Sequence, residues 1–298
     1  MARVKRRDNH RLGLILTVSG VLVFSPDGLM LRLIGIDGLT LTAWRGFLAG
    51  LVILLGTSIL HGRNVWPIIR AGGWTGLLLV ALSAASMLAF NMAITNTSVA
   101  NVLVTFAIMP MLAALMAWVF LGERLRPDTG VALFFAVLGM LIVAAGATAG
   151  GGMRGLVYAV LNAVVVAGYF VAVRHLRGKS AIPFVGMGYL LAGLFTWPFV
   201  SVPDLTVEQF GLLLANGMVL QPLAIALISL GPRYLPAPEV ALITLLETIL
   251  GPLLVWLVLA EDPGPYTLAG GAIIILTLCV HSARRLARAG NRFPGAGP

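Results

Sequence analysis

Charge is scarce in this chain, 10% of 298 residues against 59% hydrophobic, so any ionisable side chain among apolar neighbours is a candidate for chemistry. Between Val240 and Leu259 the only ionisable residue is Glu247. An ionised carboxylate in the middle of an apolar span costs roughly 2.5–3.5 kcal/mol. Glu247 must therefore face a cavity, hold a proton or find a partner, and no Lys or Arg falls at its depth. Such a carboxyl suits proton exchange or capture of a solute ammonium. The plain alternative is a protonated Glu bonded to a neighbouring backbone. Thr244 is its polar neighbour one turn away. Glu239, next to Pro236 and Pro238, reads first as a helix-start carboxylate favoured by the helix dipole.

Asp27 and Arg45 fall at similar depth on consecutive apolar segments, where an ion pair would explain how either is tolerated. The pair reads as structural or as a gate latch, with snorkelling of Arg45 to the headgroups as the alternative. Asn91, Thr105, Asn162, Thr244 and Gln221 are polar residues inside apolar segments. Hydrogen bonds across helices are worth about 0.6 kcal/mol on average, so most of these should pack and a few should touch a solute. Tyr158 and Tyr169 could stack on a ring or fill the core.

Other chemistries lack their residues. His10, His61, His175 and His281 are scattered at segment ends, which argues against a metal site and a proton relay. There is no His-Glu-x-x-His, no pair of intramembrane aspartates and no Gly-rich run before Lys-Ser or Lys-Thr. Cys279 is the single cysteine, so no intramolecular disulfide and no thiolate metal cluster can form. No catalytic residues, cofactor or metal are expected. The net charge of +9 sits at the ends of apolar blocks and not along one face, which reads as topology control and not as nucleic-acid binding.

Ten apolar segments of membrane length must position these residues: 11–31, 41–61, 73–95, 98–121 and 128–148, then 153–173, 183–202, 208–230, 236–260 and 265–283. The first looks like a signal peptide, but it is long and contains Pro26 and Asp27, so it is expected to remain as a span. Placing both termini inside puts 17 Lys and Arg on that side and 2 on the other, a strong positive-inside bias. The basic tails 1–10 and 284–298 are then cytoplasmic. Trp44, Trp66, Trp74, Trp118, Trp197 and Trp256 fall near span ends, as an aromatic belt would place them. Pro26, Pro110, Pro222 and Pro252 lie within spans and are candidate hinges.

The sequence also repeats. Gly13-Leu14 and Gly155-Leu156 open spans that Arg32 and Arg174 close, each arginine 19 residues after its glycine. Leu48-Ala49-Gly50-Leu51 returns as Leu191-Ala192-Gly193-Leu194, and the segment Ala117–Glu123 returns loosely as Val255–Glu261. Five spans per half is an odd number, so the second half is inverted relative to the first, as in alternating-access transporters. The expected units are 11–148 and 153–283, joined at Ala147–Gly152.

With Ala93-Ile94-Thr95-Asn96-Thr97-Ser98 leading to Pro110 and Leu121-Gly122-Glu123, and Leu246-Glu247 in the second copy, the chain resembles the drug/metabolite transporter superfamily. Within it, the resemblance is to the ten-span type made of two EamA-type repeats. Thr248 stands where that family often has proline, and Arg45 matches a common family arginine. The resemblance implies an all-α polytopic membrane protein, ten transmembrane helices forming two inverted five-helix repeats around a central cavity lined by spans 1, 3, 4, 6, 8 and 9. It implies export of small metabolites, with bacterial amino-acid exporters, including the aromatic amino-acid and paraquat exporters, among the relatives. The expected partners are the lipid bilayer of a bacterial inner membrane, a small solute and, as a coupling candidate, protons. Exporters of cationic drugs are the runner-up, and an intramembrane enzyme lacks its nucleophile or metal ligands.

Overall fold

The computed structural model describes residues 2–62, 65–123, 127–149, 152–176, 180–200, 204–231, 234–235 and 237–291. Among them are ten helices long and apolar enough to cross a membrane. Helices satisfy every backbone polar group within their own segment, which hydrocarbon demands. Span 1 is α1 (Ala2–Phe24) with α2 (Asp27–Ile34), span 2 is α3 (Gly38–His61) and span 3 is α4 (Val65–Asn96). Span 4 is α5 (Val99–Phe106) with α6 (Met109–Leu121), and span 5 is α7 (Pro127–Ala149). Spans 6 and 7 are α8 (Met153–Val173) and α9 (Ile182–Thr196). Span 8 joins α10 (Val207–Leu214) to α11 (Gln221–Leu230), and spans 9 and 10 are α12 (Ala237–Leu259) and α13 (Gly264–Asn291). Both termini lie at one end of the bundle, because the number of spans is even.

Polar residues start the helices. The Asp37 carboxylate accepts from the backbone N–H groups of Leu39 (2.9 Å) and Thr40 (3.0 Å) and opens α3. Partial burial pushes the Asp37 carboxyl up, but its hydrogen bonds from Thr40 and Leu39 outweigh that and hold it below the usual range. Ser98 caps α5, and Thr206 with Gln209 forms a capping box on α10.

The breaks do not all follow proline. Span 1 is interrupted at Ser25–Pro26, where the ring cannot continue the helix. Span 4 breaks at Ala107–Ile108, and Pro110 enters the first turn of α6, where a missing N–H costs nothing. Span 8 passes through a π-helix, Ala215–Leu220, and Pro222 opens the helix that follows. Pro252 lies inside α12, which runs unbroken from Ala237 to Leu259. Gly73, with φ 50°, kinks α4 where the expected span begins, and a short helical piece from Val65 precedes it.

Helix pairs recur when the halves are exchanged. Spans 3 and 6 pack together and so do spans 1 and 8; 4 packs on 6 as 9 packs on 1; 3 packs on 7 as 8 packs on 2. At the crossing of spans 2 and 7 the glycine of each repeated Leu-Ala-Gly-Leu segment meets the backbone of the other span. A Cβ on Gly50 would lie 2.4 Å from the Leu190 nitrogen, and one on Gly193 2.5 Å from the Phe47 nitrogen. Backbones this close admit only glycine. Gly50→Val or Gly193→Val is expected to cost about 3 kcal/mol or more, read as a lower melting temperature in detergent. Gly56→Ala, in the same helix with nothing within 4 Å, should leave stability unchanged or raised.

Candidate functional site

The break in span 1 makes Asp27 the first residue of α2, so its carboxylate sits at a helix N-terminus deep in the bundle, favoured by the helix dipole. Arg45 lies seven residues into α3, about 10 Å from its start. Asp27 lies seven residues before the end of α2, so the two meet at matched depth on antiparallel helices. Arg45 Nη2 donates to Asp27 Oδ1, and Nη1 donates to Asn91 Oδ1 at 2.8 Å. The guanidinium also stands over the Phe90 ring, 5.7 Å from its centroid. Arg45 is 0% exposed, so it does not snorkel.

The network reaches four spans. Asn91 Nδ2 donates to Thr42 Oγ1 (3.1 Å), whose hydroxyl donates to the Gly38 carbonyl (2.6 Å). Asn216 Nδ2 donates to Asp27 Oδ1 (2.8 Å). Asp27, Asn91 and Asn216 are all buried. Asp27 Oδ2, Arg45 Nε and Asn216 Oδ1 are left without hydrogen-bond partners among the described residues. The π-helix that carries Asn216 runs to Leu220, and Gln221 follows directly after it. Gln221 is buried, its Nε2 lies 3.9 Å from Met87 Sδ, and its Oε1 has no partner among the described residues. Tyr189 of span 7 stands beside Arg45, Asp27 and Gln221.

Glu247 approaches this network from span 9. It is partly exposed within α12, makes no hydrogen bond or ion pair among the described residues, and has Asp27 as its electrostatic neighbour. Arg45 is already engaged by Asp27. Thr244 is partly exposed one turn away.

Other expected residues lie elsewhere. Asn162 accepts from Ser86 Oγ (2.7 Å) between spans 6 and 3. Thr105 is buried in span 4, and its hydroxyl has no partner among the described residues. Tyr169 meets the Phe170 ring edge-on at 5.8 Å and packs with Leu79, Val80 and Phe184. Tyr158 packs against the cluster of Leu31, Ile34 and Leu41. Glu239, at the start of α12, accepts a 2.8 Å contact from His10. Thr42, Met87, Tyr189 and Asn216 were not singled out in the sequence, although Asn216 carries the same signal as Asn91, a lone amide in an apolar span.

A family model described as the EamA-like transporter family matches residues 11–145 and again 153–283. The chain belongs to the EamA-like transporter family. As an EamA-like protein it falls in the drug/metabolite transporter superfamily, and its ten spans are the two-repeat fold of that family. Its sequence is similar to the Pseudopaline exporter CntI of two Pseudomonas aeruginosa strains, UCBPP-PA14 and PAO1. Each is 27% identical over 215 residues, covering 70% of this chain and 75% of the relative. A crystal structure of a protein 18% identical superposes with a TM-score of 0.65, covering 91% of this chain and 97% of that one, and shares the fold. Family and relatives support a membrane transporter of small metabolites, in contact with the bilayer and a small solute. The narrower expectation of amino acids is a proposal.

Proposed function

We propose that this EamA-like protein exports small amphipathic metabolites, foremost amino acids with hydrophobic or aromatic side chains, across a bacterial inner membrane by alternating access. The observation that carries the reading is Glu247, a partly exposed carboxylate beside a buried network whose arginine is already paired. A solute ammonium fits that carboxyl, and Gln221 and Tyr189 offer neutral partners for the rest of a polar head. Because a proton and an ammonium compete for one carboxyl, export of the solute in exchange for a proton follows from the same residue. The relatives' name as exporters supports the direction of transport.

Counterflow in proteoliposomes tests the reading: radiolabelled aromatic amino acid should accumulate against unlabelled substrate. A lipophilic cation that exchanges while zwitterions do not would replace it with the runner-up, a cationic drug exporter, which the same carboxyl favours. The orientation is tested separately. Reporter tags at both termini and in the 174–181 loop should be cytoplasmic, and one in the 202–208 loop periplasmic. A periplasmic C-terminus would overturn the topology.

A further inference from the structure

The two ends of the bundle carry ion pairs that are copies of one another. Arg32 and Arg174 occupy the same place in the two repeats, 19 residues after Gly13 and Gly155, and Glu123 and Glu261 end the matching segments Ala117–Glu123 and Val255–Glu261. In the fold each arginine crosses to the glutamate of the other half. Arg32 Nε lies 3.1 Å from Glu261 Oε2, and Arg174 Nη1 lies 2.7 Å from Glu123 Oε1. One pair joins spans 1 and 9 at the end away from the termini; the other joins spans 6 and 4 at the termini's end.

Both copies are formed, in different surroundings. Arg32 also donates to the Thr97 carbonyl, and Glu261 Oε1 accepts from the Val99 N–H at 2.9 Å, so this pair grips the first turn of α5. Both side chains are 25% exposed. Arg174 and Glu123 are 51% and 56% exposed and join through a 2.7 Å hydrogen bond. An exposed ion pair alone contributes little, so the two backbone bonds add to the hold of the first pair. Beneath the tighter pair, Leu29, Val99, Leu103 and Val255 close into an apolar cluster.

We propose that Arg32–Glu261 and Arg174–Glu123 are matched latches at opposite ends of the solute path. Both are formed in this structure, the first tied also to the start of α5 and the second more exposed, and transport parts them in turn. Opening at either end requires one inter-half ion pair to part, and the repeat supplies its duplicate to tighten at the other. The inference rests on the alternating-access reading above and adds the residues that bias it.

The test uses the full chain with Cys279→Ala, which removes the single cysteine. Reporters Val255→Cys and Ala117→Cys lie six residues before their latch glutamates, and both native side chains are 1% exposed. An impermeant maleimide is applied to the matching side of oriented membrane vesicles. Arg32→Gln should raise labelling at 255 about fivefold, the factor a surface ion pair can carry, and lower it at 117. Arg174→Gln should do the reverse, and the charge swap Arg32→Glu with Glu261→Arg should restore the parent pattern. Arginine variants that shift both reporters in one direction, or shift neither, would overturn the proposal. If Arg32→Gln fails to fold, the exposed pair decides, because Arg174→Gln and Glu123→Gln must still raise labelling at 117 and lower it at 255. Labelling needs no solute, so opposed shifts with no counterflow would count against the exporter reading alone.

Discussion

Asp27→Asn is expected to destabilise the protein by about 3–5 kcal/mol, because it strands a buried guanidinium. Arg45 is fully buried, and in this variant its remaining partners would be Asn91 and the Phe90 face, neither of which carries countercharge. Arginine cannot shed its proton to escape. The reciprocal change, Arg45→Gln, should be milder. It leaves a carboxylate that still accepts from Asn216 and can neutralise itself by taking up a proton. Thermal unfolding in detergent should therefore rank Asp27→Asn below Arg45→Gln, and acidification should narrow the gap from wild type for Arg45→Gln alone. The double variant should be less damaging than the sum of the singles by about 1–3 kcal/mol, as for other partners in one network. Additive losses, or equal losses that ignore pH, would mean that the pair is not the electrostatic unit its geometry describes.

How much of this was legible in sequence depends on range. The ten spans were legible because hydrocarbon thickness acts on every segment separately. Span limits were less so: α3 begins at Gly38 and not near residue 41, since Asp37 caps the helix beyond the apolar run. That shift sets Arg45 seven residues inside the helix. Proline predicted the break at Pro26. It could not predict Gly73, the π-helix before Gln221 or the unbroken passage of α12 through Pro252, because neighbouring helices decide whether a freed carbonyl is tolerated. The Asp27–Arg45 contact could be read from matched depth on adjacent spans. Asn216 could not, since its bond to Asp27 joins residues 189 apart and a lone amide in an apolar span reads as packing. Arg32 and Glu261 are 229 apart, and only the repeat marked them in sequence as related to Arg174 and Glu123.

Glu247→Gln should slow counterflow at least tenfold at neutral pH and leave what remains insensitive to pH. The argument begins with what glutamine keeps. It matches glutamate in size, accepts and donates hydrogen bonds, and at a partly exposed position makes no new clash, so folding and melting temperature should stay near the parent's. What it loses is the charge and the exchangeable proton. A hydrogen bond to a charged group is worth about 1.5–3 kcal/mol, which corresponds to a factor of about ten or more in occupancy of the site by an ammonium. In the parent, flux should vary with pH as proton and solute compete for the carboxyl. In the variant nothing at this position titrates, and Asp27 remains engaged by Arg45 and Asn216. An uncharged solute that is a substrate should still pass, and separating it from zwitterions locates the defect at the ammonium. Should Glu247→Gln carry zwitterions at the parental rate at every pH, the carboxyl only packs, and the proposed solute site must be sought elsewhere in the bundle.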